Sequence, residues 1–161
     1  MKVYRSLIED YFNILTNNSF KIIEYIKSGN IESFENELKR IIMNIASNHD
    51  IKYENSLHML MISFFYYLEA SGEYRVKSNI ESGDGRYDIC IIPYDKNRLG
   101  YVIELKRADK DEKVEECAEI ALNQIEKKKY YKELVSNRIK NILLLGLGFI
   151  GKNIVIKTKK L

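Results

Sequence analysis

Two carboxylates and a lysine near the middle of the chain carry the chemistry that the sequence can be read for. Asp88 lies in Arg86-Tyr87-Asp88-Ile89-Cys90-Ile91-Ile92, and Glu104 and Lys106 lie in Val102-Ile103-Glu104-Leu105-Lys106. Both segments read as strands. Side chains alternate along a strand, so Asp88 is expected on the face of Cys90 and Ile92, and Glu104 and Lys106 on the face of Val102. A carboxylate on a buried face costs several kcal/mol unless a cation or a strong donor meets it. The intervening Asp95-Lys96-Asn97-Arg98 reads as a polar hairpin connection, which would bring Asp88 beside Glu104. Two adjacent carboxylates repel unless a cation sits between them. An oxygen-only ligand set suits Mg²⁺ or Mn²⁺. Such an ion lowers the pKa of a bound water and clamps a phosphate oxygen, while a nearby lysine steadies developing charge. The chemistry indicated is metal-dependent phosphodiester hydrolysis.

The short pattern alone is weak. An acid, any residue, then lysine occurs at Glu37, Asp50, Glu104, Asp111 and Glu126. Only the copy at 104 sits on an apolar strand that follows a second strand bearing an acid. The alternative reading is structural: Asp88 and Glu104 as partners of Arg86, Lys106 or Arg107 in cross-strand salt bridges. A second pattern, Gly146-Leu147-Gly148-Phe149-Ile150-Gly151-Lys152, imitates a nucleotide loop. It is followed by Asn153 and a strand-like Ile154-Val155-Ile156, where a phosphate loop needs Ser or Thr and a helix N-terminus. It reads as a glycine-rich turn between strands.

The elements that must hold these residues follow from periodicity. Apolar residues at Tyr4, Leu7, Ile8, Tyr11, Phe12 and Leu15 mark one helix face. Further helices are expected over 20–27, 31–46 and 54–70. Strands follow over 74–80, 86–93 and 100–106, then one helix over 113–134 and strands over 141–147 and 153–157. The order predicts an α/β or α+β fold: a mixed central sheet flanked by helices. An N-terminal helical arm (1–50) precedes a core (51–161). The apolar faces of the four-helix front half exceed the needs of one small core, which is a basis for homodimer formation.

Composition narrows the classes. The chain has 161 residues, 45% hydrophobic and 30% charged, with 8 Gly and 1 Pro, which excludes collagen-like and low-complexity architectures. No apolar run approaches a membrane span. The start turns acidic at Glu9-Asp10, unlike a signal peptide. Two cysteines, Cys90 and Cys117, form neither a disulfide framework nor a zinc pattern, so a cytoplasmic setting is expected. A net charge of +3 permits nucleic-acid binding without requiring it. Lys127-Lys128-Lys129 with Tyr130 and Tyr131 could flank a phosphate backbone or form a solvated helix face. Arg86 could touch a phosphate or guard the strand turn.

The run Ser78 to Ile89, with Ser82-Gly83-Asp84-Gly85-Arg86-Tyr87-Asp88, followed by Val102-Ile103-Glu104-Leu105-Lys106, resembles the PD-(D/E)XK nuclease superfamily. More narrowly it resembles a bacterial nuclease-like domain found behind an AAA-ATPase-like domain. Ala121-Leu122-Asn123-Gln124-Ile125 with Lys129-Tyr130-Tyr131, the glycine-rich 146–152 stretch, and Glu54-Asn55-Ser56-Leu57-His58 fit the same branch, although Leu57 stands where Tyr is usual. The resemblance covers about residues 30–157. It implies a restriction-endonuclease-like core and a DNA substrate, with RNA left open. It implies Asp88, Glu104, the Leu105 carbonyl and Glu54 as Mg²⁺ or Mn²⁺ ligands, Lys106 as the catalytic lysine and Gln124 near the site. Arg86, Lys128, Lys129 and Tyr130 are the expected nucleic-acid contacts. An AAA-ATPase-like partner domain is implied and is not contained in these residues.

Overall fold

The computed structural model describes residues 20–46, 54–82 and 85–161. The helix expected over 4–15 lies outside them. Helix α1 occupies 20–28, α2 runs Ile31–Ala46 and α3 runs Glu54–Ala70. Gly29, at φ +73°, makes the reversal between α1 and α2. Asn30 then caps α2, its Oδ1 accepting the Ser33 amide at 3.1 Å. Strands β1 (Tyr74–Ser82), β2 (Gly85–Pro93) and β3 (Leu99–Arg107) follow, then α4 (Val114–Lys128), α5 (Lys132–Ser136), β4 (Asn141–Ile150) and β5 (Asn153–Lys160).

The five strands form one sheet in the order β1-β2-β3-β4-β5. The first three make an antiparallel meander. The α4–α5 connection returns the chain so that β4 runs parallel to β3, and β5 closes antiparallel on β4. This is the expected mixed sheet of an α+β fold, consistent with a restriction-endonuclease-like core. Its strand bounds extend each predicted strand by one to three residues at an end.

Helices cover both faces. On one, Ile22, Phe34, Leu38, Leu57, Phe64 and other residues of α1, α2 and α3 pack with Ile89, Ile91, Ile103 and Phe149 of the sheet. Tyr101 joins this layer and donates its hydroxyl to the Ile26 carbonyl at 2.6 Å. On the other face, Cys90, Ile92, Val102 and Leu144 pack under Leu122 and Ile125 of α4 and Leu134 of α5. Central strands buried on both faces explain the near-continuous apolar runs of β3 and β4. The expected boundary at residue 50 falls in 47–53, outside the described residues. Residues 20–46 on its N-terminal side share one apolar cluster with the sheet.

Two predicted elements need correction. The single helix over 113–134 is two helices, because Lys129 adopts φ +52° and closes α4. The break turns Tyr130 inward, where it is 3% exposed. The glycine-rich 146–152 stretch is not a turn as a whole. Gly146 and Gly148 lie inside β4, and only Gly151-Lys152 forms the reversal. Their role is close approach: a methyl group at Gly146 would lie 2.2 Å from the Ala118 carbonyl oxygen, and one at Gly148 2.2 Å from that of Val114. Helix α4 therefore rests directly on the β4 backbone.

Candidate active site

The β2–β3 register pairs Ile89 with Ile103, Cys90 with Val102 and Ile91 with Tyr101. Continued by one residue, it sets Asp88 opposite Glu104. At that position a side chain takes over the ladder: Asp88 Oδ2 accepts the Leu105 amide at 2.7 Å. The alternation expected from the sequence breaks between Tyr87 and Ile89. Ile89 packs with α1–α3, whereas Tyr87 and Cys90 both pack with α4 and α5. On β1, Ser78 pairs with Ile89 and Ile80 with Tyr87, and Asn79 between them stands at φ +51°. Across from Asn79, the Asp88 carboxylate meets the β3 backbone.

Helix α3 supports the same point from the other layer. His58 Nε2 donates to the Asp88 carbonyl oxygen at 3.2 Å, which requires the proton on Nε2 because a carbonyl only accepts. Burial raises the Asp88 carboxyl pKa. The Leu105 amide and the nearby His58 pull the other way without cancelling that rise.

Glu104 is 7% exposed and shares a face with Val102 beneath α4. Gln124 of α4 donates its Nε2 amide to Glu104 Oε1, and the same amide lies 3.4 Å from the Tyr130 hydroxyl. Gly146 is the β4 partner of Glu104, and Gly148 that of Lys106. The two glycines thus stand beside the acid and the lysine and let α4 reach them. Lys106 is half-buried. Its charge acts on Glu112 and Cys117 at the start of α4.

The structure therefore brings together Asp88, Glu104, the Leu105 backbone and Gln124, with Lys106 one step along. Glu54 opens α3, four residues before His58; its side chain and that of Arg86 lie outside the described residues. Lys128 and Lys129 are exposed at the end of α4. Tyr130 is not on that surface. Its ring packs edge-on against Tyr87 with centroids 6.4 Å apart, and its hydroxyl would lie 2.9 Å from a methyl group at Gly85. The expectation that Tyr130 contacts nucleic acid is corrected: burial makes it a support for Gln124. Sequence reasoning missed Glu133, which bonds Lys77 of β1 and accepts the Tyr87 hydroxyl at 3.2 Å, tying α5 to the strands that carry Asp88. Its spacing from Tyr130 offered no signal once the helix was read as continuous.

The donor set fits a hard divalent cation. The two carboxylates supply oxygen only, His58 is engaged by the Asp88 carbonyl, and a cation would offset the burial that raises Asp88. Among the described residues no three His, Cys, Asp or Glu side chains gather as a metal cluster, and no helix is long and apolar enough to cross a membrane.

The family model described as PD-(D/E)XK nuclease superfamily matches residues 52–159. No curated protein and no solved structure matches the chain. The match spans α3 and all five strands, well over half of the sequence, and the chain belongs to the PD-(D/E)XK nuclease superfamily.

Proposed function

We propose that this protein is a metal-dependent nuclease that hydrolyses phosphodiester bonds of DNA. One observation supports the reading: the β2–β3 register, continued one residue past Ile89–Ile103, sets Asp88 opposite Glu104, where the Asp88 carboxylate accepts the Leu105 amide. Asp88, Glu104, the Leu105 carbonyl and Glu54 are the residues that would hold Mg²⁺ or Mn²⁺. Bound there, a divalent cation supplies Lewis-acid stabilisation of a phosphate oxygen and a lowered pKa for water.

The chain's own groups do the positioning. The Leu105 amide and His58 fix Asp88 by its carboxylate and its carbonyl. Gln124 holds one oxygen of Glu104. Lys106, two positions beyond Glu104 on the same strand, provides the positive charge for a pentavalent phosphorus and orients the attacking water. The exposed Lys128 and Lys129 supply phosphate contacts at the far end of α4.

A second reading is a catalytically silent nuclease fold that binds nucleic acid or a protein partner. It is favoured by the lysine, whose charge acts on Glu112 and Cys117 at the start of α4. A cleavage assay separates the two. Incubation of plasmid and linear DNA with wild-type protein and Mg²⁺ or Mn²⁺ is expected to give nicked or shortened products, with Asp88→Asn and Glu104→Gln inactive. Equal cleavage by the variants, or none by the wild type with either metal, overturns the nuclease reading.

A further inference from the structure

A pocket lies on the α5 side of the sheet. It encloses about 160 Å³, and its wall includes Arg75, Pro93, Tyr94, Lys96, Glu133 and Asn137. Pockets for whole cofactors run about 300–1,000 Å³, so this one takes a single charged group and not a cofactor.

Its charge is positive. Arg75 and Lys96 are exposed, and among the described residues neither forms a salt bridge. The acids nearby are already engaged. Glu133 is bonded to Lys77 and to the Tyr87 hydroxyl. Glu73 pairs with Lys27 and with Arg98 at 3.0 Å. Asp95 accepts the Asn97 amide at 2.9 Å, and the charges of Arg98 and Lys140 act on it. Two uncommitted cations thus set the field at the pocket mouth. Tyr94 stands beside them, 65% exposed. Cations that track a backbone, next to a ring on which a base can stack, are the components of a single-strand contact.

Its position relates it to the carboxylates. Arg75 pairs with Ile92, which is four residues beyond Asp88 on β2. At about 3.3 Å per residue Ile92 and Asp88 lie about 13 Å apart along β2, a span of a few nucleotides of a single strand. We infer that this pocket docks the phosphodiester backbone of a DNA strand a few nucleotides from the bond to be cleaved. Arg75 and Lys96 hold phosphate and Tyr94 stacks a base. The inference rests on the nuclease reading for its substrate, and its test reads binding and not cleavage.

The test is fluorescence anisotropy of a labelled 12-nucleotide single strand in EDTA, over a salt series, with wild type, Arg75→Ala/Lys96→Ala and Tyr94→Ala. All three side chains are exposed, so the variants are expected to melt as the wild type does. At about 0.7 per phosphate contact, the double variant lowers the slope of log affinity against log salt by about 1.4. Tyr94→Ala weakens binding about 5- to 150-fold. Wild-type affinity and slope in both variants, or no binding by the wild type, overturns the assignment. So does equal displacement by inorganic phosphate or a mononucleotide, which marks a small-anion pocket. A protein that binds through this pocket and does not cleave with metal sinks the nuclease reading alone.

Discussion

Replacing Gly146 by alanine probes whether the close seat of α4 on β4 builds the candidate site. The added methyl would lie 2.2 Å from the Ala118 carbonyl oxygen and 2.4 Å from the Leu122 amide nitrogen. Both obstacles are helix backbone, so no rotamer change relieves them. Ordinary contact begins near 3.4 Å, and the helix and strand must part by about 1.2 Å. Overpacking of this kind costs about 1–3 kcal/mol. For a chain of this size that lowers the melting temperature by about 2–12 °C. The displacement also reaches the chemistry. Gly146 is the register partner of Glu104, and Gln124, two residues after Leu122, holds the Glu104 carboxylate. A shift of about 1 Å at a reacting centre costs about 10²-fold in rate. The assay pairs a thermal melt with metal-dependent cleavage, and takes Gly151→Ala as the comparison. Gly151 has open space around it but stands at φ +55°, so alanine there strains the backbone without moving α4. Gly151→Ala is expected to lose stability and keep activity; Gly146→Ala is expected to lose both. A Gly146→Ala protein that melts and cleaves like the wild type refutes the argument that α4 positions Gln124 through this contact.

Other outcomes follow from individual contacts. Because burial raises the Asp88 pKa, the native state holds that proton more tightly than the unfolded chain. Stability therefore falls as pH rises from the ordinary carboxylate range through the raised value, and is flat above it. Asp88→Asn, which keeps an acceptor for the Leu105 amide, is expected to melt above the wild type at neutral pH while abolishing cleavage. The gap should close as pH falls below the ordinary range, and a constant gap in a pH series of melts contradicts it. Glu133→Gln leaves Lys77, about one-fifth exposed, without its charge partner, and is expected to cost about 1–3 kcal/mol in a denaturant titration. An unchanged midpoint contradicts that. Tyr130→Phe keeps the buried ring and removes the hydroxyl 3.4 Å from Gln124. It is expected to lower cleavage while leaving oligonucleotide affinity unchanged, whereas a loss of affinity would return Tyr130 to the binding surface.

The part of the site that was legible in the sequence is the part built from nearest neighbours in a hairpin. A polar connection between two apolar strands fixes their register, and register alone sets position 88 opposite 104. Alternation on β3 holds, so Glu104 sits beneath α4 with Val102 as expected. Alternation on β2 breaks between Tyr87 and Ile89, beside Asn79 of the neighbouring strand at a positive φ. Nothing in the pattern Tyr87-Asp88-Ile89 encodes that neighbour. Helix α4 was read too long because Leu134 continues its apolar spacing across a break made by Lys129 and stabilised by the burial of Tyr130. Gly146 and Gly148 resembled a turn because glycine marks both tight reversals and close backbone approach. Only the packing partner, α4, distinguishes the two. Tertiary contacts decided each of these points, and local propensity was silent on all of them.

Diffraction at the manganese edge from crystals soaked in Mn²⁺ tests the central claim most directly. An anomalous peak within about 2.0–2.3 Å of carboxylate oxygens of both Asp88 and Glu104, lost in Asp88→Asn, is the predicted result. Crystals without such a peak at saturating Mn²⁺, with Lys106 swung across to bridge the two carboxylates, would contradict it.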